Sequence, residues 1–282
     1  MWHDLERLID LALAEDIATG DITTNALIDP GARGRGVIVA KAPMVVAGLM
    51  AARRVFKRLD ADLRVADIAE EGQPVASGAT LMTVAGRMAA LLTAERTALN
   101  FLQRLCGIAT HVRGYVEALP DARVRLVDTR KTTPGWRALE KYAVRIGGAA
   151  NHRFNLSDGI LIKDNHIAAC GGIAAAVDRA RRAAPHSLKI EVETETLAEV
   201  EAALDAGADI IMLDNMEPEN IRAAVRLIAG RALVEISGGV DHDNLKTLAA
   251  CGADIISVGA LTHAARAVDI SMRIDAAADP SA

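Results

Sequence analysis

From about residue 120 onward the chain keeps one rhythm: a short apolar run, a helical pattern, then another apolar run. Candidate strands lie near Val124–Asp128, Ile160–Lys163, Leu188–Val192, Asp209–Leu213, Leu233–Ile236 and Asp254–Val258, the order expected of a parallel α/β fold. The last four units begin near residues 188, 209, 232 and 253, in steps of 21, 23 and 21 residues, and the string GADII occurs twice, from Gly207 and from Gly252. Units this short and regular suit a barrel better than a doubly wound sheet. A full eight-stranded barrel takes roughly 250 residues, and only 175 follow Gly107. The expectation is an incomplete α/β barrel of six or seven strands.

The first part of the chain has another texture. Leu5, Leu8, Ile9, Ala12 and Leu13 recur at helical spacing, and EDIATGDITT then reads as a loop in which Asp21 or Thr23 caps or turns the backbone. Between Gly34 and Gly86, the β-like runs GVIVA, LRVADIAEEG and ATLMTVAG surround a helix over Leu49–Leu59, which makes a small α+β unit. A long helical pattern follows over Ala89–Ile108, with Arg96 inside it and an end expected near Gly107.

Composition narrows the function classes. With 2% aromatic residues and an acidic pI of 5.8, the chain lacks the stacking platforms and basic field of a nucleic-acid binder. Cys106, Cys170 and Cys251 are odd in number and fit neither a disulfide framework nor a zinc-ligand spacing, as expected in a reducing cytoplasm. The acidic, amphipathic start is not an export signal, and Lys41 and Pro43 cut the apolar stretch from Val37 to Ala52, so no membrane span is expected.

The charge is distributed unevenly. Between Asp128 and His166 there are seven Lys and Arg against four Asp and Glu, in a chain of formal charge −5. If the apolar runs are neighbouring strands, Arg130, Lys131, Arg153 and Lys163 converge at one end of the sheet, where their repulsion is tolerable beside water or a polyanion. The strand ends face a common mouth in a barrel of this type. They deliver Asp128, Thr129, Arg130 and Lys131, then His152 and Arg153, Lys163, Glu193, Asp214, Ser237 with Gly238 and Gly239, and Gly259. Cations come from the early strands, carboxylates from the middle ones, and glycine turns able to hold a phosphate from the late ones. This pattern fits a phosphorylated sugar with Mg²⁺ on one side and a small anionic acceptor on the other. Taken alone, His152 is better explained as a helix-terminal or hydrogen-bonded core histidine, and Glu193 or Asp214 equally well as a local cap. Lys163, inside an apolar run, needs a partner. Asp164, His166 and the Asp16/Asp21 loop are read as capping groups, and Trp136 as packing.

In order, the blocks EDIATGDIT, ERTALNFLQRLCGIAT, DTRKTTPGWRALEKYAV, NHRFNLSDGILIKDNHI, EVET, IMLDN, EISGGV and SVGALTH resemble those of the quinolinate phosphoribosyltransferase family, also called nicotinate-nucleotide pyrophosphorylase (carboxylating). The resemblance implies an N-terminal α/β sandwich (1–107), an incomplete C-terminal α/β barrel (108–266) and a tail (267–282) returning to the N-terminal domain. It also implies a cytoplasmic homodimer in which Arg96 acts across the interface. The implied reaction transfers phosphoribose from 5-phosphoribosyl 1-diphosphate to quinolinate, releasing CO₂ and diphosphate and yielding nicotinate mononucleotide for NAD synthesis. Carried over by position, Arg96, Arg130, Arg153 and Lys163 would hold the quinolinate carboxylates, with Lys131 and His152 lining the site. Thr129 falls within the same block as Arg130. Glu193 and Asp214 would bind ribose hydroxyls and Mg²⁺, and Ser237, Gly238, Gly239, Val258 and Gly259 the phosphate. Lys131, Lys163, Glu193 and Asp214 would be the catalytic groups. Two positions depart from the family pattern: Cys106 where Ser is common, and Ala149 in place of a third Gly before NHR. The second is expected to stiffen the loop carrying His152 and Arg153.

Three other readings remain at this stage, one of them a non-catalytic phosphate-binding barrel. A molybdenum-transport protein related to the family shares the RKT and HR features but lacks the lysine of LIKDNH. A Schiff-base aldolase would use Lys163 as its amine.

Overall fold

The computed structural model describes residues 2–120 and 123–275. In chain order, the elements are α1 (Trp2–Ile17), α2 (Ile22–Leu27), β1 (Arg33–Ala40), β2 (Met44–Val45), α3 (Leu49–Leu59), β3 (Arg64–Asp67), β4 (Pro74–Val75) and β5 (Thr80–Arg87). There follow α4 (Met88–Ala118), β6 (Arg125–Val127), α5 (Arg137–Gly147), β7 (Ile160–Ile162), α6 (Asp164–Cys170), α7 (Ile173–Ala183), β8 (Ile190–Thr194) and α8 (Leu197–Asp205). The last are β9 (Ile210–Asp214), α9 (Pro218–Ile228), β10 (Leu233–Ser237), α10 (Leu245–Ala249), β11 (Ile255–Ser257), α11 (Ala260–His263) and β12 (Ile270–Asp275). Among the described residues no helix is long and apolar enough to cross a membrane.

The chain forms two compact units, one of residues 1–113, 132–148 and 265–282, the other of 114–131 and 149–264. The sequence runs a C-terminal domain unbroken from 108 to 266, whereas the loop and helix at 132–148 group with the first unit. That unit has an antiparallel sheet in the order β12-β1-β5-β3. Of the tail at 267–282, residues 270–275 form β12 beside β1, with Ile38 opposite Met272, and 276–282 lie outside the described residues. Asp21 caps α2: its carboxylate accepts from the Thr24 N–H at 2.9 Å. Trp136 stacks on Phe101 with ring centroids 4.9 Å apart, the packing role read from the sequence.

One helix boundary is corrected. The pattern predicts a stop near Gly107, but α4 runs on to Ala118. Gly107 serves packing rather than termination, because a Cβ there would lie 2.1 Å from the Arg266 carbonyl oxygen. A glycine inside a helix marks either a C-cap or a close backbone approach, and the sequence alone does not separate them.

The second unit is a six-stranded parallel sheet, β6-β11-β10-β9-β8-β7, with its own helices between successive strands from β7 onward, the lower of the two expected strand counts. Ile190, Val192, Ile211, Leu213, Val234, Ile236 and Ile256 are buried on one phase of the strands. The opposite phase faces the barrel interior. The repeated GADII string has a structural explanation. Asp209 Oδ2 accepts from the Ile190 N–H and Asp254 Oδ2 from the Val234 N–H, both at 2.8 Å, so each repeat pins the start of the preceding strand. Thr196 and Glu199 form a reciprocal capping box at the start of α8, and Pro218 opens α9.

Candidate active site

The interior phase of the strands opens, at their C-terminal ends, into a cavity of about 680 Å³. β6 hands the chain to Thr129, Arg130 and Lys131, all on the wall. This turn is fixed by the Lys131 N–H donating to Thr129 Oγ1 (3.0 Å) and the buried Thr262 hydroxyl donating to the Lys131 carbonyl (2.7 Å). At Gly259, a Cβ would come within 2.9 Å of Lys131 Cδ, so the missing side chain makes room for the lysine stem.

His152 and Arg153 line the same cavity, and the segment holding them is anchored to the fully buried Asp128. Asp128 Oδ1 accepts from the His152 N–H (2.9 Å) and Oδ2 from Asn151 Nδ2 (2.7 Å). Arg153 donates through Nη1 to the Gly159 carbonyl at 3.1 Å. Burial, and next the neighbouring Arg130 charge, push the Arg153 pKa down, with Glu191 opposing. A guanidinium held close enough to Arg130 for that neighbour to disfavour its charge marks a place where an anion is stabilised.

Lys163 stands just beyond β7 and forms an ion pair with Glu193 on β8. Its side chain is 44% exposed, so the lysine has the partner the sequence requires but is not sealed in the core. His166 is a capping group, as read: its Nδ1 accepts from the Lys163 N–H at 3.0 Å. Asp214 ends β9, and its Oδ2 accepts from Asn215 Nδ2 at 2.7 Å. Ser237 lies opposite Asp214 in the β9–β10 ladder and leads into Gly238 and Gly239, both with positive φ (83° and 56°). At Gly238 a Cβ would lie 2.3 Å from Asn215 Oδ1, so both the dihedral and the crowding require glycine.

Twelve of the fourteen residues expected at the site therefore share one wall-to-wall cavity: Thr129, Arg130, Lys131, His152, Arg153, Lys163, Glu193, Asp214, Ser237, Gly238, Gly239 and Gly259. Val258 does not line it. Its side chain is buried on the opposite phase from Ser257 and Gly259, and its N–H donates to the Val127 carbonyl at 2.9 Å. Arg96 is exposed on α4 in the first unit and is not part of this wall.

Sequence reasoning missed the layer below. Glu235 lines the cavity, and Glu191 joins it in a second cavity of about 450 Å³ that shares His152, Arg153 and Glu235 with the first. His152 Nε2 lies 3.3 Å from Glu191 Oε2 and 3.5 Å from Glu235 Oε1. Burial, reinforced by the Glu191 charge, pushes the Glu235 carboxyl up to about 7, against the opposing effects of His152 and the Ser257 hydroxyl. The signal was available: Glu191 precedes Glu193, and Glu235 precedes Ser237, by one strand period on otherwise apolar strands.

The two departures from the family pattern are absorbed locally. Cys106 donates to the Ala47 carbonyl and accepts its N–H, each at 3.2 Å, and burial pushes its thiol up to about 12. At the end of α5 the left-handed conformation is taken by Gly148, so Ala149 has no positive φ to accommodate.

Comparison with known proteins agrees with this geometry. Sequence models described as "Quinolinate phosphoribosyl transferase, N-terminal domain" and "C-terminal domain" match residues 21–106 and 108–273. A probable nicotinate-nucleotide pyrophosphorylase [carboxylating] of Bacillus subtilis (strain 168) is 43% identical over 270 residues, covering 96% of this chain and 93% of that protein. One from Synechocystis sp. is 45% identical over 276 residues, covering 97% and 93%. Among solved structures, NadC from Streptococcus pyogenes superposes with a TM-score of 0.94 at 45% identity, covering 98% of each chain. The nicotinate-nucleotide pyrophosphorylase from Francisella tularensis gives 0.93 at 40% identity, covering 97% of this chain and 96% of that one. The chain belongs to the quinolinate phosphoribosyl transferase family.

Proposed function

We propose that this protein transfers the phosphoribosyl group of 5-phosphoribosyl 1-diphosphate to quinolinate, releasing diphosphate and CO₂ and forming nicotinate mononucleotide on the route to NAD. The observation that carries the reading is one cavity lined by both kinds of group: the cations Arg130, Lys131, Arg153 and Lys163, and Glu193, Asp214 and the Ser237–Gly239 turn, the two sets meeting at the Lys163–Glu193 ion pair.

Quinolinate is a dianion, and cations spaced around a partly desolvated wall can hold both carboxylates and so orient the ring nitrogen. That nitrogen attacks the anomeric carbon as the bond to diphosphate breaks, and the ribose becomes cation-like. Glu193 and Asp214, on adjacent strands, are placed to accept hydrogen bonds from ribose hydroxyls and to favour the developing positive charge. The bare backbone of Gly238 and Gly239 suits the 5-phosphate. After transfer, the quaternised ring nitrogen stabilises the carbon left by CO₂, which takes a proton from water or from Lys163. Decarboxylation in this scheme needs no organic cofactor.

Mg²⁺ fits the carboxylate side. Glu193 and Asp214 offer only hard oxygen donors, and an ion held by two carboxylates and substrate phosphates suits its chemistry. These two residues would hold it, and when bound it neutralises the diphosphate. Lys163 is engaged by Glu193 rather than offered to a carbonyl, which disfavours a Schiff-base aldolase. The same reading makes the protein a cytoplasmic homodimer, with the exposed Arg96 completing the partner's site. Mixing inactive Arg96→Ala and Lys163→Ala subunits then restores part of the activity, and a mixture that stays inactive contradicts the shared site.

Release of CO₂ from carboxyl-labelled quinolinate tests the reaction. Release that requires both 5-phosphoribosyl 1-diphosphate and Mg²⁺ is the expected outcome. No release, or release independent of the sugar diphosphate, contradicts it.

A further inference from the structure

Beneath the cavity wall, His152, Glu191 and Glu235 form a cluster that the reaction as described does not use. Both glutamates are more than nine-tenths buried. One ligand-capable atom from each of the three residues lies within 4.8 Å of the others, a grouping that invites a metal ion. The imidazole's hydrogen bonding speaks against one. His152 Nδ1 accepts from the Arg153 N–H at 2.8 Å, so the ring proton sits on Nε2, the edge that faces Glu191 Oε2 at 3.3 Å and Glu235 Oε1 at 3.5 Å. A nitrogen that carries a proton is not a metal ligand.

The cluster instead behaves as a brace. The segment Asn151–Arg153 has no helix or ladder to hold it beyond the single bridge at Ala150. It is tied at its backbone by Asp128 and at the imidazole by the Arg153 amide on one edge, while the other edge lies against Glu191 and Glu235 as charge contacts of 3.3 and 3.5 Å, Glu235 Oε1 itself making no hydrogen bond. Arg153 is the next residue along and lines both cavities, so a tilt of the imidazole moves the Arg153 backbone directly. We propose that Glu235, with Glu191, is a positioning residue: through His152 it holds Arg153 where a carboxylate of the dianionic substrate is received. The inference rests on the quinolinate reading above.

Steady-state kinetics with each substrate varied in turn tests the brace. Glu235→Met, close in size but without an acceptor, is expected to raise KM for quinolinate roughly tenfold while KM for 5-phosphoribosyl 1-diphosphate stays within about twofold. Glu235→Gln keeps an acceptor oxygen and recovers most of the difference. In an Arg153→Ala background, Glu235→Met adds little, because the group it positions is gone. If Glu235→Met does not fold, Glu191→Met carries the same expectations. Equal rises in both KM values, additive losses in the double variant, or no rescue by Gln overturn the proposal. So does activity lost to a chelator and restored by Zn²⁺ but not Mg²⁺. Wild-type protein that fails to release CO₂ from quinolinate removes the parent reading and this inference with it, whereas normal wild-type turnover with unsplit KM values removes the brace alone.

Discussion

At the rim of the barrel, Glu193 pairs with Lys163 and Asp214 takes a hydrogen bond from Asn215, both beside an open cavity. One strand period lower, Glu191 and Glu235 are buried around a single imidazole. The residue type is the same and the strands are the same or adjacent, yet the two layers solve opposite problems. Rim carboxylates border the cavity, where Lys163 and Asn215 satisfy them from its own lining. Floor carboxylates are too costly to leave charged and unpaired, so they are held by His152 and one is driven toward protonation. A barrel of this kind separates binding charge from structural charge by depth, two residues at a time.

Variants that strike one layer and spare the other can break this comparison. The largest effect is expected at the cationic rim: Arg153→Ala removes a partly buried charge from the anion pocket and is expected to lower kcat/KM for quinolinate by roughly 10²–10³-fold, the range for truncating one partner of a desolvated pair. A loss under about tenfold would mean that Arg153 is a wall residue only.

The floor is expected to announce itself in the pH dependence of stability. Burial raises the Glu235 pKa from the ordinary 4.5 to about 7, so the folded state binds this proton more tightly than the unfolded chain does. The resulting stabilisation is complete below the unfolded pKa and is lost as pH rises through about 7, a change on the order of 3 kcal/mol. Urea midpoints between pH 5 and pH 8 check this. Glu235→Gln flattens the slope if Glu235 is the titrating group, and an unchanged slope assigns the effect elsewhere.

The smallest effect belongs to the first unit. Cys106→Ser keeps a donor and an acceptor for Ala47 and is expected to shift stability by less than about 1 kcal/mol. With its thiol pushed up to about 12, Cys106 is expected to resist alkylation until the protein unfolds. Rapid labelling of Cys106 in the native protein would contradict the packing described around Ala47.

Much of this was legible in the chain. Alternation and spacing located all six barrel strands to within two residues, since a strand buried beneath helices must be apolar and its turns must be punctuated. Residues at strand ends were readable because topology brings them to one mouth whatever their separation in sequence. Depth was harder to read. Glu191 and Glu235 sit inside apolar strands, and only the interior phase shared with Glu193 and Ser237 shows that they face the same space. The same phase argument excludes Val258, which stands between two interior positions. Gly107 misled because a packing glycine and a terminating glycine are the same letter. The grouping of 132–148 with the first unit depends on contacts far apart in sequence, such as the buried Glu140 accepting from Arg104 at 2.7 Å, which no local pattern encodes.

One cavity is expected to receive two ligands, one on its cations and one on its carboxylates and glycine turn, and crossed equilibrium binding separates the two. Quinolinate and 5-phosphoribosyl 1-diphosphate with Mg²⁺ would each be titrated calorimetrically into Arg153→Ala and Asp214→Asn. The account predicts that Arg153→Ala loses quinolinate and keeps the sugar diphosphate, with the reverse for Asp214→Asn. Equal losses of both ligands in both variants would contradict it.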